Sequence, residues 1–311
     1  MAERGPGRAG RPGAGWLVSA RGSAVPILTV LAVLLAVWYI AAIALNAPMA
    51  RDAAERAGAP LSGLALVEAT LTQERPRLPA PDQIVAEVWK TTVETRPTSK
   101  RSLVYHSWIT LAATLTGFAL GAALGVLLAI GIVRDRTMDA SVMPWVIASQ
   151  TIPILAIAPM IIVVLNSIGV TGLLPKALIS MYLSFFPVVV GMVKGFRSPD
   201  QMLLDQMRTW NATAGQTFRA LRWPASVPYL FASLKIAAAA SLVGAIIGEL
   251  PTGAVAGLGA RMLSGSYYGQ TVQIWSALFM AALLASLLIA AIGLVERLVA
   301  RAMGARPEGA R

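Results

Sequence analysis

Long apolar runs separated by shorter polar stretches set the pattern of this chain. A helix needs about 20 apolar residues to cross roughly 30 Å of hydrocarbon at about 1.5 Å per residue. Six stretches reach that length: about Pro26 to Leu45, Ser107 to Val133, Ser141 to Leu165, Leu174 to Val193, Ser226 to Gly248 and Thr271 to Val295. The fourth holds Lys176 near its start and the fifth holds Lys235, while the other four carry no charge. Backbone groups in lipid must pair within their own segment, which predicts helices, and the alternation of a membrane barrel is absent. The predicted fold is all-α, a polytopic membrane protein of about six transmembrane helices.

Three polar stretches stand out between the spans. In the first, Asn46 to His106, the run "PAPDQIVAEVWKTTVE" places Ile84, Val85, Val88 and Trp89 at helical spacing, with Pro81 and Asp82 as start signals. It predicts a short amphipathic helix, lying at the interface or packed on the body. The second, Lys194 to Ala225, is amphipathic and too polar to cross; a loop of this length in a compact protein is usually functional. The third, "PTGAVAGLGARMLSGSYYGQ", is glycine-dense and predicts a re-entrant or gate segment. It lacks the third glycine of a dinucleotide fingerprint after Gly257 and Gly259.

Composition agrees with lipid as the solvent. Hydrophobic residues make up 56% and charged residues only 13%, against about 25% charged in soluble domains. The net charge of +11 could mark a nucleic-acid binder, but the basic residues border the apolar runs. Arg4, Arg8, Arg11 and Arg21 precede the first span, Arg134 and Arg136 follow the second, Lys194, Arg197, Arg208, Arg219 and Arg222 follow the fourth, and Arg297, Arg301, Arg306 and Arg311 close the chain. With six spans all four groups share one side. The opposite short loops are nearly bare: Asn166 to Thr171 has no charge, and Glu249 to Gln270 has only Glu249 and Arg261. This positive-inside pattern puts both termini on the cytoplasmic side of the membrane and excludes nucleic acid as the partner. The expected organisation is a disordered basic tail over 1–25, a retained first span over 26–45, a periplasmic loop over 46–104, a transmembrane domain over 105–300 and a cytoplasmic tail over 301–311. With no cysteine and one histidine, His106, no metal site is expected, and His106 reads as an interface residue.

Several span residues invite a choice. Gly117, Gly121 and Gly125 form a small-residue ridge, with Ala113 one step before; such ridges let helices approach closely, either between two copies or within one subunit. Gln150, Thr151, Pro153 and Pro159 interrupt the third span and suggest a wall of a translocation pathway or a packed kink. Lys176 and Lys194 lie near helix ends and are expected to snorkel. Glu249 ends the fifth span, as a gate or packing residue of the pathway or as a solvated carboxylate.

The stretch "DQMRTWNATAGQTFRALRWPASVPYL" resembles the loop that defines permease subunits of ATP-binding-cassette importers. That family reads Glu-Ala-Ala, three residues, Gly, nine residues, Ile, one residue, Leu-Pro. Here the register is Asp205, Gln206, Met207, then Asn211, then Leu221, Trp223 and Pro224, without a gap and with identity at Pro224. Met207 to Thr213 and Trp223 to Ala237, with Lys235 at a position often basic in the family, extend the likeness. The family glycine sits at a turn between two short helices, and Asn is the best non-glycine substitute at positive φ. "TLTGFALGAALGVLLAIGI", "QTIPILAIAPMIIVVLNSIGV" and "AIIGELPTGAVAGLG" resemble the nitrate/sulfonate/taurine-type branch, and the glycine-dense loop resembles permeases for nitrogen heterocycles such as a pyrimidine precursor. The likeness covers about Tyr105 to Leu298.

The resemblance implies a coupling helix over Asp205 to Phe218, with Asp205, Gln206, Met207, Arg208, Asn211, Ala212, Phe218, Leu221 and Pro224 as ATPase-coupling residues. Gln206 and Met207 are bulkier than the alanines they replace, which points to a dedicated ATPase. The implied partners are separate ATPase subunits that bind ATP and Mg, a periplasmic solute-binding protein, a second copy of this chain and membrane lipid. No phosphate-loop motif is present, so a transport subunit rather than an enzyme is expected, with no cofactor of its own. A secondary transporter would call for intramembrane carboxylates, absent from the middle of every span, and a membrane enzyme for a catalytic cluster.

Overall fold

The computed structural model describes residues 15–58, 62–250 and 255–304, with side chains from residue 25 onward. Most of the expected N-terminal tail, the residues 251–254 of the glycine-dense loop and most of the C-terminal tail lie outside the described residues. The described chain divides into two compact units, one ending at Val85 and the other beginning at Ala86.

The first unit is built on α1, Gly15–Arg56, which starts before and ends well after the expected first span. The reason for the late end is Asn46, which the apolar pattern takes as the first loop residue. Its side chain is fully buried. Its Nδ2 donates to the Leu78 carbonyl at 2.9 Å, and its Oδ1 accepts the N–H groups of Arg77 and Leu78 at 2.8 and 3.2 Å. The returning loop thus satisfies the amide, and the helix need not break. α2, Leu64–Leu71, folds back so that Leu66 packs on Ala47 and Ala50. Trp38 Nε1 donates to Pro79 O at 3.1 Å, which holds the same loop. The apolar residues from Val25 to Leu35 are exposed, as a lipid-facing helix requires. α3, Pro81–Trp89, begins at the expected start signal and ends in a π-helical turn, Lys90–Glu94. Ile84 is buried, while Val85 and Trp89 stay exposed.

The second unit is a bundle around α4 (Leu103–Arg134), α7 (Leu173–Phe196) and α10 (Trp223–Glu249). Between α4 and α7 lie α5, Arg136–Ser149, and α6, Ile154–Ser167. α8 (Gln201–Thr209) and α9 (Ala214–Thr217) precede α10, and α11 (Leu258–Tyr267) and α12 (Thr271–Ala302) follow it. Caps mark the sharp starts: Ser102 Oγ accepts from Val104 N, Asp135 Oδ1 from Thr137 N, and Thr213 and Gln216 exchange a capping box.

The glycine ridge resolves to packing within one chain. A Cβ on Gly117, Gly121 or Gly125 would come within 2.3 Å of Ser180, 2.1 Å of Ser184 or 2.7 Å of Val188, all on α7. The two ridges ascend in the same order, so α4 and α7 run parallel. Consecutive membrane helices can be parallel only if the chain crosses back between them. α5 and α6 are therefore one crossing, and the bundle and α1 together make six. α10 runs antiparallel: Gly195 meets Ser226, Gly191 meets Ser233 and Gly244 meets Ser180. Two buried hydroxyls stitch the helices by donating to backbone carbonyls. Ser180 Oγ on α7 reaches Ser241 O at 2.7 Å and Ser241 Oγ on α10 reaches Thr114 O at 2.8 Å, while Thr114 Oγ1 is satisfied within α4 by Thr110 O at 2.7 Å. In lipid such bonds and close backbone approach supply the association that apolar burial cannot.

The third span is not one kinked helix. α5 and α6 meet at 98°. Pro153 forces Ile152 out of helical geometry and removes a donor, and the Tyr182 hydroxyl on α7 bonds the Ser149 carbonyl at the break.

Candidate functional site

α7 ends in a buried aromatic joint. Phe196 lies 5.0 Å from Phe218 and 5.9 Å from Trp223 between ring centroids, and Arg222 Nη1 donates to the Phe196 carbonyl at 2.9 Å. Nearby, Arg197 pairs with Asp139 at 2.7 Å, tying α7 to α5. This joint fixes both ends of the segment that holds α8 and α9. Leu221 and Pro224 belong to the helical base that runs into α10.

The segment between is two helices at a turn, not one helix from Asp205 to Phe218. Asn211 sits at the turn with φ 53, the one non-glycine residue at positive φ among the described residues. Its N–H donates to Arg208 O, and that of Ala212 donates to Met207 O, closing α8. Asn211→Gly is therefore expected to leave thermal stability within a fraction of a kcal/mol, while Asn211→Val costs about 1–2 kcal/mol, read from the melting temperature of purified protein.

Asp205 and Arg208 form an exposed ion pair at 2.8 Å, worth well under about 1 kcal/mol to stability. Their value lies in the surface they present. On the same helix Met202 is 77% exposed, Trp210 67% and Leu203 43%. Met202, Gln206 and Trp210 follow at i, i+4, i+8 and share a face. A tryptophan and a methionine bare on one helical face form an apolar patch of the kind found at interaction sites. The sequence reading passed over Met202 and Trp210, because apolar residues of an amphipathic helix ordinarily turn inward. Behind this face, α8, the turn and α9 wall an open cleft of about 840 Å³ with the end of α4, lined by Arg134, Arg208, Arg219 and Arg222. The segment is thus basic as well as apolar.

The five residues expected along a pathway do not converge. Gln150, Thr151 and Pro153 form the α5–α6 break, and Gln150 is exposed there. Thr151 Oγ1 donates to Ala148 O at 2.8 Å and so is satisfied locally. Pro159 lies within α6. Glu249 is neither solvated nor bonded to any of these. It is 0% exposed and accepts the Thr110 hydroxyl at 3.0 Å and the Gly259 N–H at 2.9 Å, with Lys176 Nζ at 3.9 Å. Lys176 does not snorkel: it donates to the Ala256 carbonyl at 3.1 Å. His106 is not an interface residue either. It is buried, donates from Nε2 to Lys100 O and accepts the Gly257 N–H on Nδ1. Lys235 pairs with Glu296 of α12 at 2.5 Å.

Known proteins share this architecture. Residues 121–305 match the family described as binding-protein-dependent transport system inner membrane component. The chain is 31% identical over 224 residues to the formylaminopyrimidine transport permease protein ThiX of Halalkalibacterium halodurans, covering 71% of this chain and 84% of that protein. It is 30% identical over 224 residues to the riboflavin transport system permease protein RibX of Chloroflexus aurantiacus, covering 72% and 80%. A solved chain of the inward-facing MetNI methionine ABC transporter superposes with a TM-score of 0.57 at 20% identity, over 66% of this chain and 99% of that one. That likeness establishes a common fold.

Proposed function

The chain belongs to the family of binding-protein-dependent transport system inner membrane components, the permease subunits of ATP-binding-cassette importers, and from that premise we propose how its parts divide the work. The segment Asp205 to Pro224 docks a separate ATPase subunit, which binds ATP and Mg. The observation that carries this reading is the bare face of Met202, Gln206 and Trp210 beside Asn211, held rigidly by the Phe196–Phe218–Trp223 joint. Arg208 and the basic cleft steer an acidic groove onto that face, and Asp205 orients Arg208 through their ion pair. The clustered basic residues support a cytoplasmic location for this end and for both termini. The Glu249 end then faces the periplasmic binding protein.

Two copies of the chain enclose the pathway. Ala232, Ile236 and Val243 leave one face of α10 uncovered within a single chain, and α5 and α6 supply the broken wall beside it. The exposed α1 contacts lipid.

The solute we assign is a small, neutral nitrogen heterocycle. The named solutes of the two relatives, formylaminopyrimidine and riboflavin, support it. So does electrostatics. An oxyanion such as nitrate or a sulfonate needs an available cation or donor in the membrane. The two lysines inside the apolar spans, Lys176 and Lys235, are instead engaged by Glu249 with Ala256 and by Glu296. The test is a thermal-shift screen of the co-encoded binding protein against pyrimidines, flavins, nitrate and taurine. A shift with a pyrimidine or flavin supports the assignment; a shift with nitrate or taurine alone replaces it with an oxyanion.

A further inference from the structure

α9, the π-helical turn Phe218–Arg222 and α10 form one continuous 36-residue helix, Ala214–Glu249, about 54 Å long. One end lies in the coupling segment. The other end is Glu249, and what it holds is the start of α11.

The first N–H groups of a helix lack intrahelical acceptors. In α11 they are not capped from its own preceding residue, which is Gly257. They are capped from other helices. Gly257 N–H donates to His106 Nδ1 at 3.0 Å, Leu258 N–H to Thr110 Oγ1 at 2.8 Å and Gly259 N–H to Glu249 Oε2 at 2.9 Å. The Thr110 hydroxyl lies 3.0 Å from each Glu249 oxygen. Glycine is needed for this approach: a Cβ on Gly257 would stand 2.1 Å from the Glu249 carboxyl carbon, and one on Gly259 would stand 2.5 Å from Ile246 O. A fully buried carboxylate is costly to retain unless it is paired and hydrogen-bonded, and here Lys176, Thr110 and Gly259 meet both conditions. The remaining grip on α11 is apolar, through Leu258 and Met262 against Leu103, Ala277 and Met280. Apolar packing is non-directional, whereas the carboxylate fixes register.

We propose that Glu249 is a positioning residue that carries the movement of the coupling segment to α11. α10 moves as a rod, and its terminal carboxylate draws the start of α11 with it, so the periplasmic mouth follows the ATPase. This rests on the permease reading above.

The chain has no cysteine, which makes single-site labelling clean. One reporter is Ser266→Cys on the exposed side of α11; a second is Ala220→Cys, exposed in the coupling segment. Both are made in the complex purified with its co-expressed ATPase, and maleimide reactivity is compared without nucleotide and after trapping with ATP and vanadate. With Glu249 intact, both reporters are expected to respond to nucleotide by roughly fivefold or more, and in Glu249→Gln or Thr110→Val the Ser266→Cys response falls below about twofold while that of Ala220→Cys persists. The persisting response shows that the complex is folded and driven. A Ser266→Cys response that survives both substitutions overturns the proposal. If neither reporter responds even with Glu249 intact, the permease reading itself fails.

Discussion

Trp210→Glu is expected to abolish solute uptake while the permease still inserts in the membrane. The indole is two-thirds bare at the end of α8, so its removal leaves no cavity in the bundle, and surface substitutions of this kind change stability by roughly 0.5 kcal/mol or less. On the proposed docking, its loss falls on the contact with the ATPase. Large aromatic anchors at the centre of a helix-in-groove contact are each worth about 2 kcal/mol or more, which is about a 30-fold weaker complex. A buried glutamate adds a desolvation penalty and repels an acidic groove. Arg208→Glu at the neighbouring position reverses a charge of the same surface and acts in the same direction. Uptake by cells that lack the native gene, normalised to membrane-inserted protein, measures both. Uptake that survives both substitutions would mean that the bare face has another use.

Gly121→Leu prevents assembly of the bundle. A mere Cβ at this position would lie 2.1 Å from Ser184 Oγ and 3.0 Å from the Met181 carbonyl. The backbone carbonyl cannot rotate away, so α4 and α7 must part. Their separation also breaks the chain of Ser180, Ser241 and Thr114 bonds, which depends on the same approach. Overpacking costs about 1–3 kcal/mol even in forgiving cores, and here the stitching bonds are lost as well, at about 0.6 kcal/mol each. The expected result is aggregated protein in fluorescence-detected gel filtration, with Gly215→Leu, at a site where a Cβ would meet nothing within 4 Å, remaining monodisperse. A monodisperse Gly121→Leu permease would mean that the two helices tolerate a wider spacing.

The spans were legible because hydrocarbon demands uninterrupted apolar length, and the start of α3 because Pro81 and Asp82 are local signals. The end of α1 was not legible. Asn46 looks like a boundary, and only the Leu78 carbonyl and the Arg77 and Leu78 amides, more than thirty residues on, make it a helix residue. The bend at Pro153 could be read, but its 98° depends on Tyr182 of another helix. The glycine ridge announced a close contact without saying with what. Between α8 and α9 the turn at Asn211 was implied by the resemblance, and asparagine's tolerance of positive φ allows it. The bare face of Met202 and Trp210 did not, since exposure depends on what the rest of the chain leaves uncovered. For Glu249 the sequence offered a gate or packing residue or a solvated carboxylate, without a means to choose. Its partner Thr110 lies 139 residues away, and no local pattern links them.

The central claim is that this chain is driven by a separate ATPase gripping α8. A C-terminally tagged copy, solubilised in mild detergent from its native membranes and analysed by quantitative mass spectrometry, tests it most directly. The account predicts an ATP-binding-cassette ATPase recovered at about one per permease chain, and its loss from the Trp210→Glu copy. Recovery of the permease with no ATPase, even after crosslinking in the presence of an ATP analogue, would contradict it.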